Sequence, residues 1–309
     1  MLTEQLTRPD DIIQPFRIDP FALRGRLVRM GPTVDRILSQ HEYPEPVATI
    51  LGEAITLAVV LSGMLKYEGI FTLQTKGDGP IRLIVADVST EGAVRGYAQY
   101  DAERLETAQS RMNGANPSVP DLIGGGYIAF TVDQGEHTER YQGIVEIAGA
   151  TLAECAQHYF RQSEQIQAGI KLSVARSGEN GAWRAGGLML QRVPPEGGYV
   201  QIADDVEDGW RRAMILMSSA TSKELVDPDI SAHRLLYRLF HDEGVRVYDT
   251  HPVEARCRCS RERIERILRS LPEDDIAEIR QDKVTTVTCE FCNTRYEFTA
   301  DELAPAGRA

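Results

Sequence analysis

Cys257-Arg258-Cys259 and Cys289-Glu290-Phe291-Cys292 decide how the last part of this chain folds. Four of the five cysteines lie in these two tight pairs, separated by residues 260–288. Zn²⁺ accepts four thiolates in a tetrahedron at roughly 2.3 Å each, and soft thiolates select zinc or an iron–sulfur cluster over hard cations such as Mg²⁺. The sequence therefore predicts that the intervening segment folds back and brings both pairs to one Zn²⁺.

The cysteine spacing fits two kinds of zinc site. A purely structural site would account for the terminal segment, because about 50 residues bury little core and need a metal staple. In a redox switch, thiolates exposed to oxidants react with them, and each pair can close into its own disulfide once the metal is lost. Closure within C-x-C makes a small, strained ring. Spacing alone leaves both interpretations open.

Composition narrows the class of protein. With 309 residues, 42% of them hydrophobic and 26% charged, the chain reads as soluble and globular, with room for two or three domains. A net charge of -12 disfavours binding to nucleic-acid phosphates. Residues 1–13 have no signal-peptide pattern, and the most apolar run, Ile50–Leu65, is short and broken by polar residues, which indicates a buried core helix. We expect a cytoplasmic protein without a membrane partner, where clustered cysteines favour a metal or redox site over structural disulfides.

The first two thirds of the chain predict an α+β domain over residues 1–195, with a mainly antiparallel sheet packed with helices. Residues 1–15 are expected to form a loose tail, and the arginines of strand 21–30 to point outward. Thr151 is a plausible helix N-cap, with Glu154 in the capping-box position. Further strands are predicted at 69–76, 81–88, 93–100, 127–133, 138–147, 169–176 and 183–193, and helices at 47–66 and 151–167.

After a boundary at residues 194–198, residues 196–245 predict a helical linker with an apolar face. We interpret this face as packed on the first domain in the resting state; a removable contact would make it an adaptable binding surface. Residues 246–309 predict a small zinc-binding domain, with a helix from Ser260 to Leu271 and strands at 284–288 and 295–298. A short strand at 245–248 leads into its first cysteine pair. The apolar linker residues are Val206, Trp210, Ala213, Met214, Met217, Ala220, Leu235, Leu236, Leu239 and Phe240.

The sequence gives little support for a functional site other than the cysteine pairs. Cys155 lies between alanines on a predicted helix, which indicates a buried, inert thiol. The glycines at 77–79 and 124–126 connect strands and do not continue into G-K-[ST], so they do not predict a phosphate loop. We expect no catalytic activity. The competing classes are a zinc-ribbon nucleic-acid-binding protein, which a steep salt dependence of binding would favour, and a thiol–disulfide oxidoreductase, which needs C-x-x-C at the start of a helix.

The segment Cys257–Arg263, C-x-C-S-R-E-R, followed by C-x-x-C after a spacer of this length, resembles the 33 kDa chaperonin family of redox-regulated holdase chaperones. The resemblance runs from about residue 16 to residue 303. Further matching stretches are Gly77-Asp78-Gly79-Pro80, Tyr141-Gln142-Gly143-Ile144-Val145, Tyr159-Phe160-Arg161-Gln162-Ser163-Glu164-Gln165, Gly186-Gly187-Leu188-Met189-Leu190-Gln191 and Val247-Tyr248-Asp249.

This resemblance implies an inactive, reduced state with one Zn²⁺ on Cys257, Cys259, Cys289 and Cys292. It implies that oxidation forms Cys257–Cys259 and Cys289–Cys292 disulfides and releases the zinc. The terminal domain and linker would then unfold, and apolar surface would bind unfolding or oxidatively damaged client proteins without ATP. The active form in the family is a homodimer. The candidate client surface consists of Trp210, Met214, Met217, Leu235, Leu236, Leu239 and Phe240.

Overall fold

The computed structural model describes residues 10–64, 68–112, 117–135, 140–177, 181–193, 203–272, 276, 279 and 284–303, with the backbone alone at residues 112 and 203–206. The chain forms two compact units, Met1–Ala255 and Arg256–Ala309. The predicted boundary at 194–198 lies outside the described residues.

The strands and helices of the first unit are as follows. The strands are β1 Ile12–Ile18, β2 Leu23–Met30, β3 Ile70–Gly77, β4 Ile81–Ser89, β5 Ala93–Tyr100, β6 Gly126–Asp133, β7 Tyr141–Glu146, β8 Ala168–Ser177, β9 Ala182–Arg192, β10 Val245–Val247, β11 His251–Pro252 and β12 Glu254–Ala255. The helices are α1 Pro32–Ser39, α2 Glu45–Ser62, α3 Ala102–Met112, α4 Val119–Ile123, α5 Leu152–Gln162, α6 Ala203–Ser218, α7 Ser222–Val226 and α8 Ala232–Phe240.

These strands form two six-stranded sheets. Sheet A has the order β10-β1-β2-β9-β8, with β11 also paired to β1, and sheet B has the order β12-β5-β4-β3-β6-β7. The pairs are antiparallel apart from β12 with β5, which is parallel. The α+β class and the antiparallel character are confirmed, whereas the division into two sheets was not foreseen from the strand patterns.

Helix α2 lies between the two sheets. It packs on β4 and β5 of sheet B and on β8 and β9 of sheet A. A helix with apolar residues nearly all round must be covered on all sides, and the sheets provide that cover. Its length and hydropathy would suit a membrane span, but 78% of it is buried within the fold. The prediction of a buried core helix is confirmed.

The opposite face of sheet A carries a second apolar cluster, which we call the linker cluster, because helices α6–α8 cover it. Side chains of a strand alternate between faces, so neighbouring residues serve different clusters. The first apolar cluster contains the buried side chains of α2, and we call it the cluster around α2. Val28 belongs to the cluster around α2, and its neighbour Leu27 belongs to the linker cluster. The buried members of the linker cluster are Ile12, Phe16, Ile18, Leu23, Leu27, Leu188, Leu190, Ala213, Met217, Ala220, Leu225, Ala232, Leu235, Leu236, Leu239 and Phe240.

Two expectations for the start of the chain are wrong. Residues 12–15 are not a loose tail but half of β1, which pairs with β2 along its whole length. The arginines of β2 do not all point outward, because Arg29 is 2% exposed and its guanidinium donates to the carbonyl oxygens of Glu224 and Asp227. In both cases the reason is a contact with a distant part of the chain, which a local sequence pattern does not reveal. Residues 1–9 of the expected tail lie outside the described residues.

The second unit is small. It contains α9 Arg261–Arg269 and a hairpin of β13 Val284–Thr288 with β14 Arg295–Thr299, as the sequence predicted. Ser260 caps α9, since its side chain accepts from Arg263 N. Among the described residues of this unit, the apolar side chains that are fully buried are Phe298 and Leu303. The apolar core that the described residues form is too small to stabilise a domain by itself.

Candidate metal and redox centre

The second cysteine pair lies in the turn of the β13–β14 hairpin. Cys289 N donates to Thr294 O at 2.9 Å, and Asn293 N donates to Cys289 O at 2.8 Å. Asn293 has a φ of 55°, a left-handed conformation that asparagine tolerates better than most residues. These bonds fold residues 289–294 tightly enough to turn the thiols of Cys289 and Cys292 to the same side.

The first pair, Cys257 and Cys259, lies just before α9. The cap at Ser260 fixes where the helix begins and so holds Cys259 next to its first turn. Arg261, in that first turn, donates to Glu297 O of β14 at 2.7 Å, and its guanidinium lies 4.5 Å from the Phe298 ring centre. Helix α9 is thereby tied to the hairpin that carries the other pair.

All four Sγ atoms lie within 4.8 Å of one another. Cys257 Sγ is 3.8 Å from Cys289 Sγ, and Cys259 Sγ is 3.3 Å from Cys292 Sγ. A tetrahedral Zn²⁺ with Zn–S bonds of roughly 2.3 Å would place its sulfurs about 3.8 Å apart. The thiols are free, at distances well beyond the roughly 2.05 Å of a disulfide. This donor set and spacing fit a zinc ion.

The electrostatics of the cluster also favour a cation. Burial raises the pKa of the Cys259 thiol to about 12, although Tyr296 Oη donates to its sulfur at 3.1 Å. Burial likewise raises the pKa of Cys289. Burial acts in the same direction on Cys292, but hydrogen bonds with Thr294 and Cys259 outweigh it and lower the pKa of that thiol to about 7. Four adjacent thiolates repel one another, and a bound divalent cation is what makes them stable together.

Cys155 lies apart from this centre. It is on α5, 0% exposed, and burial raises the pKa of its thiol. The prediction that Cys155 is a buried thiol is confirmed, and a buried neutral thiol is a poor nucleophile. The N-cap role of Thr151 is also confirmed, but the Glu154 carboxylate accepts from Ala150 N instead of closing the capping box.

The candidate client residues come together in the linker cluster. Met217, Leu235, Leu236, Leu239 and Phe240 are at most 4% exposed. Trp210 and Met214 are partly buried against them. The interpretation of this stripe as packed on the first domain is confirmed for these residues; the Val206 side chain lies outside the description.

Sequence reasoning missed the residues on the sheet that cover this stripe. Phe16 stacks on Phe240 with ring centres 5.7 Å apart and an interplanar angle of 23°. Leu188 and Leu190 alternate with core residues along β9. Their period-two spacing was visible, but nothing in it revealed that both faces of the sheet are covered.

Comparison with known proteins agrees with this architecture. The family model described as Hsp33 protein matches residues 11–299. A 33 kDa chaperonin of Caulobacter vibrioides is 40% identical over 291 residues, covering 93% of this chain and 94% of that protein. One of Ectopseudomonas mendocina is 36% identical over 298 residues, covering 96% and 94%.

A solved structure shares the fold. The crystal structure of the 33 kDa chaperonin of Thermotoga maritima superposes with a TM-score of 0.79, covering 96% of this chain and 97% of that one, at 24% identity. With the family match over nearly the whole chain, the cysteine cluster and the shared fold, this chain belongs to the Hsp33 family.

Proposed function

We propose that this protein is a redox-regulated, ATP-independent holdase chaperone that is inactive when reduced and zinc-bound. Membership of the Hsp33 family supports a heat-shock chaperone. The observation that carries the redox part is the cluster of four free thiols in a unit whose described residues bury only the apolar side chains Phe298 and Leu303. In such a unit, Zn²⁺ on Cys257, Cys259, Cys289 and Cys292 supplies the folding free energy that the core lacks. Oxidation of its ligands would remove that energy.

The pairing of the disulfides matters for the switch. Sulfur atoms of the two pairs approach each other closely, with Cys257 Sγ 3.8 Å from Cys289 Sγ and Cys259 Sγ 3.3 Å from Cys292 Sγ. A disulfide between Cys257 and Cys289, 32 positions apart, would stabilise the folded unit by about 4 kcal/mol through chain entropy. A disulfide within either pair closes a very short loop, so it stabilises the fold by about 2 kcal/mol or less and links no distant segments of the chain. Pairing within Cys257–Cys259 and Cys289–Cys292 therefore removes zinc and leaves the unit free to unfold.

In this proposal the chain acts in three parts, residues 1–195, 196–245 and 246–309. Residues 245–255 pair with β1 and β5 in the resting state and lead directly into the first cysteine pair. We call residues 245–255 the strap. Loss of the zinc-bound fold would loosen the strap first and the linker helices after it. The linker cluster would open, and the candidate client surface would bind apolar segments of unfolding proteins, as a homodimer in the cytoplasm and without catalysis. The alternative of an oxidoreductase is disfavoured, because a turn and a strand follow Cys289 instead of a helix.

The proposal is tested with purified full-length protein. Reduced protein is expected to hold one zinc and leave the aggregation of a heat-unfolded enzyme unchanged. After peroxide under mild heat it should release zinc and suppress aggregation. The Cys289→Ser, Cys292→Ser double variant should lose this response, and Cys155→Ser, which changes a buried thiol outside the cluster, should keep it. Suppression that proceeds with zinc retained would exclude the switch.

A further inference from the structure

The linker segment Ser218–Asp227 is held on sheet A by its backbone carbonyl groups. The donors are side chains on three adjacent strands, β8, β9 and β2. The bonds are Lys171 Nζ to Ser218 O at 2.9 Å, Ser173 Oγ to Ser222 O at 3.0 Å, Arg184 Nε to Val226 O at 2.8 Å, Arg29 Nη1 to Glu224 O at 3.4 Å, and Arg29 Nη2 to Asp227 O.

The middle of this contact is a glycine. In the strand register, Arg29 of β2 lies opposite Gly186 of β9, and Gly186 lies opposite Ser173 of β8. A Cβ on Gly186 would lie 2.3 Å from Leu225 O and 2.8 Å from Leu225 C. The backbone of α7 therefore touches the sheet between two donors, at a point where a side chain would block it. This explains one glycine of the Gly186-Gly187 pair, which the zinc chemistry leaves unexplained.

Gly187 serves the other face of the same strand. A Cβ there would lie 2.8 Å from Thr56 Cγ2 and 2.9 Å from Val60 Cγ2, both on α2. Neither glycine has a positive φ, so the backbone itself tolerates alanine at both positions. Alanine at Gly186 therefore tests the contact with the linker, and alanine at Gly187 is a matched control that tests the contact with α2.

The chemistry of the donors makes the contact strong. Arg29 is 2% and Arg184 9% exposed, and a carboxylate of Asp10 lies 2.6 Å from Arg184 Nη2. Hydrogen bonds from charged groups are stronger than those between neutral groups, and a buried cation left without its acceptors is destabilising. Since the acceptors are main-chain carbonyls, the contact does not depend on which side chains the linker carries.

We propose that Arg29, Ser173, Arg184 and Lys171, arranged around Gly186, form a seat that binds the linker main chain and sets how firmly the linker is docked. The inference rests on the proposed function and assigns the control of linker release to the sheet. The apolar side chains of the linker are then free to suit client proteins, because docking strength does not have to come from them alone.

The test compares Gly186→Ala with Gly187→Ala in reduced, zinc-loaded, full-length protein. Backbone amide exchange of residues 218–227 measures docking directly, zinc content is measured in parallel, and aggregation of a heat-unfolded enzyme reports activity. Gly186→Ala is expected to speed exchange in 218–227 by about 5- to 150-fold, the factor that corresponds to an overpacking cost of about 1–3 kcal/mol. Zinc should stay at one per chain, and reduced protein should begin to suppress aggregation. Gly187→Ala should instead speed exchange in α2.

Lys171→Met adds a mild variant, because Lys171 is only partly buried and its loss leaves the sheet intact. It should speed exchange at Ser219 and Ala220 by a smaller factor. The seat is excluded if Gly186→Ala leaves exchange of 218–227 as in the wild type, or if both glycine variants alter the same segments. The exchange result does not depend on chaperone activity. If oxidised wild type fails to suppress aggregation while Gly186→Ala still loosens 218–227, the proposed function fails and the seat stands.

Discussion

Replacing Phe16 with alanine is expected to activate the reduced protein although the amino-acid sequence of the linker is unchanged. Phe16 is 1% exposed, stacks on Phe240 and lies over Gly25, where a Cβ would come within 2.0 Å of its ring. It belongs to the linker cluster and not to the cluster around α2. The cavity left by Phe16→Ala therefore weakens linker docking in particular.

The magnitude follows from the cost of truncating a buried phenylalanine, about 3–5 kcal/mol. This free energy is lost from the docked state and hardly affects the released state, in which Phe16 is already solvated. The ratio of released to docked linker should rise by about 10²- to 10⁴-fold. Such a shift is enough to populate the released state when docking is favoured by only a few kcal/mol.

The assay uses reduced, zinc-loaded protein and measures aggregation of a heat-unfolded enzyme together with amide exchange in α8. Phe71→Ala is the matched control, because Phe71 is 2% exposed and stacks on Phe130 at 22°, but in the cluster around α2. It should lower overall stability without releasing α8. Phe240→Ala should release the linker as Phe16→Ala does, but with weaker client binding. The reasoning is refuted if Phe16→Ala leaves exchange in α8 unchanged, or if Phe71→Ala releases α8 equally.

Three further outcomes are expected. Chelation of zinc under reducing conditions should unfold Arg256–Ala309, because zinc supplies about 10–16 kcal/mol to such small domains; amide protection of β13 and β14 that survives chelation would contradict this. Burial raises the pKa of Glu53 from 4.5 to about 7, so the folded state keeps a proton that the unfolded chain releases, and stability falls as pH rises through that window. Glu53→Gln should remove this loss, up to about 3 kcal/mol, in urea unfolding at pH values below and above the window, and an unchanged pH slope would count against it. Gln14, fully buried, donates to Tyr248 O at 2.6 Å and pairs with His233 Nε2 at 2.9 Å. Gln14→Leu should therefore loosen the 245–255 strap by about 1–3 kcal/mol, seen as faster exchange at Tyr248, and wild-type exchange there would rule out this role.

Elements with a local signal were predictable. The alternation of residues 93–100 and 284–288 gives β5 and β13 with the observed bounds, and Ser260 marks the start of α9. The cysteine cluster was predictable because a metal site needs ligands of one kind at short spacing, and that spacing is visible in the sequence.

Elements that depend on distant partners were not predictable. Pro15 made residues 12–15 look unstructured, since proline lacks the N–H that a strand needs. In the fold, Pro15 O accepts from Tyr248 N, and the side-chain amide of the neighbouring Gln14 donates to Tyr248 O in place of the missing N–H. Helix α1 has no local cap, because the Asp11 carboxylate, about 20 residues upstream, accepts from Gly31 N and Thr33 N. No window of sequence contains both halves of such a contact.

Sheet A divides the apolar interior of the first unit into two clusters that share no buried side chain. Opening the linker cluster hydrates one side of the sheet and leaves the side facing α2 dry. Calorimetry should therefore resolve two endotherms, the lower with the smaller heat-capacity increment, because that increment scales with the apolar area hydrated. The intact half would be a template on which the released half can refold, so the proposed switch would be reversible once reductant and zinc return.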